Sequence, residues 1–195
     1  DIMLMLSKYK VTPDRCLTIY KRFGENSTEI IKANPYMLCE EGLDFRFETA
    51  EDIAADLNFS KDSEQRVAAG MEYVVRKNLS NGHTWLPREK VISVCCKLLE
   101  CKESTVEICC DRLIECMRLS SDVISHTEFI SFPRYRFAEQ HIAARLASVK
   151  DFINSSITVD EIEISNVENR LGIKFEELQK QAIFEAFESG ILVLT

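Results

Sequence analysis

Catalysis needs a nucleophile, a base or a metal site at short range, and the 195-residue sequence offers few candidates. The three histidines, His83, His126 and His141, are far apart and have no Cys or Asp partner close in sequence. A lone histidine beside a turn reads as structural or solvated rather than as a general base. No G-x-x-x-x-G-K-[ST], G-x-G-x-x-G, H-E-x-x-H or G-x-S-x-G occurs, so the common phosphate-cradling, metal-binding and acyl-transfer motifs are missing. Six glycines leave little material for a phosphate loop. As it stands, the chain does not read as a self-sufficient enzyme.

Six of the eight cysteines fall between residues 95 and 116: Cys95, Cys96, Cys101, Cys109, Cys110 and Cys116. Two vicinal pairs and no C-x-x-C fit neither a disulfide framework nor the short paired spacings of zinc sites. Cys95 shares helical spacing with Val91, Leu98 and Leu99; Cys109 and Cys110 share it with Val106, Leu113 and Met117. These thiols are expected to pack as small hydrophobes in a reducing cytoplasm; metal or redox use of the cluster is the weaker alternative.

Stretches that could cross a membrane are absent, because no apolar run approaches the roughly 20 residues a span needs. The start, DIMLMLSKYK, lacks the cleavage site of a secretory signal. It also lacks an initiator Met, so the chain is expected to begin partway through a larger protein. The formal charge is −8, unevenly spread. Residues 1–24 carry five basic side chains (Lys8, Lys10, Arg15, Lys21, Arg22) against two acidic, and residues 65–150 thirteen against ten. The segments 25–64 and 151–195 are strongly acidic. Phosphate neutralisation requires Lys and Arg, and the two mildly basic stretches leave that option open.

The elements that would position these groups are mostly helical. Thr12-Pro13-Asp14 reads as a helix start, with Thr12 at the N-cap, and Gly24 as its stop. A short helix follows from Ser27 to Ala33, ended by Asn34-Pro35. Thr49 is expected to cap the next helix. A longer one runs from Asp62 to Leu79, and Ser80-Asn81-Gly82 turns the chain. His83-Thr84-Trp85-Leu86 reads as extended, Pro87 as a helix start running to Cys101, and Ser104 as the cap of a helix over 104–118. Asp122–Ser125 and Glu128–Phe132 read as two strands around His126-Thr127, and Pro133 opens a helix to Val149. Its first turn, Arg134-Tyr135-Arg136-Phe137, is expected to pack Phe137 inward with solvated arginines; single-strand stacking is the alternative. Residues 151–163 read as a linker or short strand and 165–190 as two short helices. Ile191–Thr195 has the apolar character of a buried parallel strand. The fold class expected is mainly α, a set of helix-turn-helix pieces and then a winged-helix-like domain with a small β-hairpin.

Four separate signatures carry a family resemblance over nearly the whole chain. They are Gly24 … Ile31-x-x-Asn34-Pro35-Tyr36-x-Leu38 with Phe45-Arg46-Phe47-Glu48-Thr49-Ala50-Glu51-Asp52-Ile53-Ala54; Arg66-x-x-Ala69-Gly70-x-x-Tyr73; Gly82-His83-Thr84-Trp85-Leu86-Pro87; and Leu171-Gly172-Ile173-x-Phe175-x-x-Leu178-Gln179-x-x-Ala182-Ile183. In order and spacing they resemble the tandem helix-hairpin-helix region of RecD-like DNA helicases. The resemblance implies a tandem helix-hairpin-helix domain over 1–60, a winged-helix-like domain over 61–150, and over 151–195 a linker and the lead-in to an α/β motor domain. It implies a superfamily-one, ATP-dependent helicase of 5′→3′ polarity, with this region as its N-terminal accessory part, ending just before the Walker A loop. ATP and Mg²⁺ would belong to that parent protein, none being expected on this stretch alone. The partners implied are single-stranded or forked DNA and the motor beyond Thr195, with no membrane.

Helix-hairpin-helix motifs grip phosphates through backbone N–H groups and a few basic side chains. The first hairpin here, Lys8-Tyr9-Lys10-Val11-Thr12, has two lysines in place of the usual glycines. The second, Gly42-Leu43-Asp44-Phe45-Arg46-Phe47, opposes a phosphate with Asp44, so Phe45 and Phe47 are expected in the core. Phosphate contact is expected at Lys8, Lys10, Thr12 and Arg15, with Arg46 the weaker candidate, and the resemblance places the family's adenine-contacting glutamine at Gln179. The helix over 104–118 carries Glu107, Asp111 and Glu115 against Arg112 and Arg118, a poor face for reading a major groove. A protein-interaction scaffold with little DNA contact is therefore the competing expectation.

Overall fold

The computed structural model describes residues 2–152, 159–189 and 191–194. It divides into two compact units, Asp1–Arg136 and Phe137–Thr195.

The first unit opens with α1 (Ile2–Leu6), a 3₁₀ turn over Ser7–Tyr9, α2 (Pro13–Phe23) and α3 (Ser27–Ala33). Lys10 adopts a left-handed conformation, φ 57°, which reverses the chain between α1 and α2. Thr12 stands at the N-cap of α2 with Pro13 at the first helical position, but its side chain makes no cap bond. After α3 the Asn34 side chain accepts the Tyr36 N–H at 3.1 Å and starts a 3₁₀ turn over Pro35–Cys39. From Leu43 the burial alternates: Leu43, Phe45 and Phe47 point inward while Asp44, Arg46 and Glu48 stay exposed. That alternation pulls the start of α4 to Phe47 (Phe47–Asp56), two residues before the expected cap Thr49. Burying Phe47 outweighs the cap.

The long helix α5 (Glu64–Leu79) starts from Ser63, whose hydroxyl accepts the Arg66 N–H. Strand β1 (Leu86–Pro87), α6 (Arg88–Leu99), α7 (Glu103–Glu115), β2 (Ser120–Ile124) and β3 (Thr127–Ser131) follow. Lys102 rather than Ser104 precedes α7, and no side chain caps it. The sheet is antiparallel with order β1-β3-β2, Leu86 lying opposite Ile130 and Ser121 opposite Ile130 on the other side. Ser125 and His126 both have positive φ, 48° and 66°, the geometry of a tight two-residue hairpin turn made here without glycine. The free edge of β2 is blunted, because Arg136 Nη1 donates to the Ser121 carbonyl at 3.2 Å and Asp122 Oδ1 accepts the Val123 N–H at 2.8 Å.

Two cores result. One joins Leu6, Cys16, Ile19, Ile31, Leu38, Phe45 and Ile53. The larger joins Tyr36, Phe47, Ala50 and Ala54 to α5, α6, α7 and Ile130, so it draws on both sides of residue 60. Phe47 lies between the rings of Tyr36 and Tyr73, with centroids 5.9 and 5.4 Å away. Cys16, Cys39, Cys95, Cys109 and Cys110 are buried and none of the eight thiols is bridged. Leu98 and Met117, grouped with the core by helical spacing, are exposed. Helix α7 stops at Glu115, and the left-handed Met117 turns the chain outward.

The second unit contains the greater part of α8 (Pro133–Phe152), then α9 (Glu161–Leu171) and α10 (Glu177–Ser189). Asp160 and Glu163 form a reciprocal capping box at the start of α9, and Gly172, φ 67°, closes it. The expected linker over 151–163 is helical at both ends, in α8 and α9, and its residues 153–158 lie outside the described residues. Residues 191–194 do not form the expected strand; Thr195 is not among the described residues. A parallel strand needs a neighbour, and the described residues supply none. Phe137, expected inward, is exposed.

Candidate nucleic-acid interface

The two hairpins flank the N-terminus of α2. Arg15, in its first turn, reaches across to the second hairpin, where its Nη2 donates to the carbonyls of Leu43 and Asp44 at 2.9 and 2.8 Å. Its guanidinium also stacks 3.9 Å from the Phe45 ring centroid. Arg22 adds bonds to the Glu41 carbonyl at 2.6 Å and to Glu40 at 2.7 Å. From α5, Arg76 donates to the Cys39 carbonyl at 2.6 Å, and Arg134 pairs with Glu41. Four arginines thus hold the second hairpin and the residues that lead into it. Gly42, φ 88°, lets this loop turn beside Arg22.

The first hairpin is anchored differently. Lys8 Nζ and the Tyr9 hydroxyl both donate to Asp56 Oδ2 at the end of α4, at 2.6 and 2.8 Å. The hydrogen bond it donates to Asp56 holds the Lys8 ammonium above its ordinary pKa, and the same bond holds the Asp56 carboxyl below the usual carboxylate value. Lys10 is exposed and has no side-chain partner among the described residues. Thr12 is exposed, with its hydroxyl outside the helix cap. Arg46 is 80% exposed and only loosely paired with Glu48 at 3.5 Å. Lys8, Lys10, Thr12 and Arg15 therefore gather around one turn, with Arg46 on the neighbouring hairpin. Sequence reading did not single out Asp56 or Tyr9, and only the long-range meeting of Asp56 with Lys8 and Tyr9 marks them out.

The family signatures fall mainly on the scaffold. Arg66 is buried and makes a fork with Glu51: Nε donates to both carboxylate oxygens at 3.0 Å and Nη2 to Oε2 at 2.8 Å. Its Nη1 donates to the carbonyls of Lys61 and Leu99 at 2.9 and 2.8 Å. The Tyr36 hydroxyl donates to Glu51 Oε1 at 2.5 Å. Gly70 is where α5 meets Leu99, since a Cβ there would lie 2.7 Å from Leu99 Cδ2. Arg66, Gly70, Tyr73, Tyr36 and Glu51 thus join the hairpin region to α6 and the turn before α7.

In the second unit, Gln179 accepts the Glu176 N–H through Oε1 at 3.0 Å. That bond closes the N-terminus of α10 and commits one end of the amide. Glu168 accepts the Phe175 N–H at 2.8 Å and faces Lys180 at 3.7 Å. The Phe175 N–H holds its carboxyl below the usual range. Among the described residues no group of His, Cys, Asp and Glu is arranged to hold a metal, and no helix is long and apolar enough to cross a membrane.

A mainly helical scaffold that carries two adjoining hairpins between short helices is the class these features define. Residues 1–85 match the family model described as the ATP-dependent RecD2 DNA helicase HHH domain. This part of the chain is similar to the helix-hairpin-helix region of RecD-like helicases.

Proposed function

We propose that the chain is the N-terminal accessory region of an ATP-dependent 5′→3′ DNA helicase that unwinds duplex DNA, and that it engages the DNA backbone without reading sequence. The match over residues 1–85 carries the reading. Lys8, Lys10, Thr12 and Arg46 meet phosphates in this proposal, and Arg15 serves the interface by holding the second hairpin against α2. Single-stranded or forked DNA is the partner.

Beyond residue 60 the order helix, strand, two helices and hairpin, with β1 paired to β3, supports a winged-helix-like domain as the second part. The acidic face of α7 favours its use as a spacer or protein contact. The last part is read as the lead-in to the motor, which binds ATP and Mg²⁺ and lies C-terminal to Thr195. There Gln179 would offer its amide nitrogen to the adenine edge, its oxygen being committed to Glu176.

Fluorescence anisotropy of the full chain with forked and single-stranded DNA, across a salt series, tests the proposal. Replacing both Lys8 and Lys10 with Glu should lower affinity at least about tenfold and flatten the salt slope, each lost phosphate contact contributing about 0.7–0.9 to it. Unchanged affinity would remove the first hairpin from the interface. No salt-dependent binding to any DNA would leave the second reading, a scaffold that packs on the motor or docks partners. The net charge of −8 and the internal engagement of Arg15, Arg22, Arg66, Arg76, Arg88 and Arg118 favour that alternative.

A further inference from the structure

We propose that the Lys8 ammonium and the Tyr9 hydroxyl form one seat for a DNA phosphodiester oxygen, and that the Asp56 carboxylate fills this seat in the free protein. The inference deepens the DNA-engaging reading and rests on it. Two donors from consecutive residues of the first hairpin converge on a single oxygen, Asp56 Oδ2, at 2.6 and 2.8 Å. A carboxylate oxygen and a phosphate oxygen accept the same charge-assisted bonds at the same lengths, so the pair is already set for an anionic oxygen. The Tyr9 ring lies beneath the ammonium, 4.9 Å from centroid to Nζ, and fixes its direction.

The seat is open to exchange. The Lys8 and Asp56 side chains are 59% and 50% exposed, and exposed ion pairs hold their partners weakly. A DNA strand presents its phosphates in series, with the exposed Lys10 next along the turn. Helix stability does not account for Asp56, because it is the last residue of α4, the end of a helix where a negative charge is disfavoured. In this account Asp56 is an internal competitor. It keeps the hairpin ordered without DNA and is displaced when DNA arrives.

Anisotropy titrations of the full chain test this with Asp56→Asn, which keeps the shape and removes the charge, with circular dichroism confirming the fold. Asp56→Asn should tighten forked-DNA binding about two- to fivefold, the weight of an exposed ion pair, and the gain should vanish in Asp56→Asn with Lys8→Met. Tyr9→Phe in the Asp56→Asn background should lose a similar factor. If wild type binds with salt dependence and Lys8→Met weakens it, but Asp56→Asn is unchanged or weaker, Asp56 is a brace and the competition is overturned while DNA engagement stands. Unchanged affinity for Tyr9→Phe removes Tyr9 from the seat. If neither wild type nor Asp56→Asn binds DNA in a salt-dependent way, the seat and the DNA reading fall together.

Discussion

Replacing Arg66 with Met tests whether one buried guanidinium ties the hairpin region to the helices that follow it. The substitution keeps most of the apolar stem and deletes the fork. Four groups then lose a donor or a charge partner: both oxygens of Glu51, the Leu99 carbonyl and the Lys61 carbonyl. Removing one member of a buried ion pair costs about 3–5 kcal/mol, mostly from the charge left behind. The Glu51 side chain is 29% exposed and keeps the Tyr36 hydroxyl, so water and that bond reduce the cost to the lower end of the range. The Leu99 carbonyl is buried and adds about 1 kcal/mol for an acceptor left unmet. The expected loss is about 3–4 kcal/mol, a large share of the roughly 5–15 kcal/mol that holds a domain folded.

The sole tryptophan, Trp85, lies in the first unit, so its fluorescence during urea denaturation reports that unit in the full chain. The midpoint should fall with an unchanged slope. Adding Glu51→Leu to Arg66→Met should recover part of the loss, because the stranded charge is gone and coupled neighbours do not add. A loss below about 1 kcal/mol, or no recovery in the double variant, would refute the assignment of Arg66 as the tie.

Two other outcomes follow from protonation. Burial pushes the Cys39, Cys95 and Cys109 thiols up to about 12 and Cys110 to about 11, so a disulfide reagent at mild pH should label the exposed Cys116 at once and these four only on unfolding. Since their folded values lie above the unfolded value near 9, stability is full below pH 9 and falls as pH rises from there toward 12, which an alkaline series of urea melts would show; a flat series would contradict the burial. Glu168, held below the usual carboxylate value by the Phe175 N–H, stabilises the turn between α9 and α10 above its unfolded value near 4.5 and loses that effect as pH falls through the folded one. Amide exchange at Phe175 should rise on acidification in wild type and be largely independent of pH, beyond the intrinsic rate, in Glu168→Gln.

Local signals were legible in the sequence. Pro13, Gly24, Asn34-Pro35 and Ser80-Asn81-Gly82 act through φ restrictions of a few neighbouring residues, and the elements they bound fall where expected. The caps expected at Thr49 and Ser104 failed because the burial of Phe47 and the turn at Lys102 decided where those helices begin. Helical spacing alone placed Leu98 and Met117 inward, since periodicity does not reveal where a helix stops or which side faces a neighbour. Long-range partners were out of reach. Nothing near Leu86 announces Ile130, 44 positions on, and nothing near Lys8 announces Asp56.

Arginine and lysine divide the work in the hairpin region, and the division explains why the signatures say more about framework than about contact. Arg15, Arg22, Arg66 and Arg76 each donate to at least one backbone carbonyl, a task suited to a planar fork that donates in several directions at once. Carbonyls at chain reversals have no helical partner, so a fold made of short helices and tight turns needs such donors more than most. The lysines cannot do this as well, being compact charges on flexible stems. Lys10 accordingly stays exposed, and Lys8 meets only a carboxylate and a ring at the surface. In the proposed interface the charges offered to DNA, Lys8 and Lys10 with the loosely paired Arg46, therefore sit on a frame held by the forks of the other arginines. Such charges neutralise phosphates without fixing base geometry, which makes salt dependence, and not sequence preference, the property by which this interface is recognised.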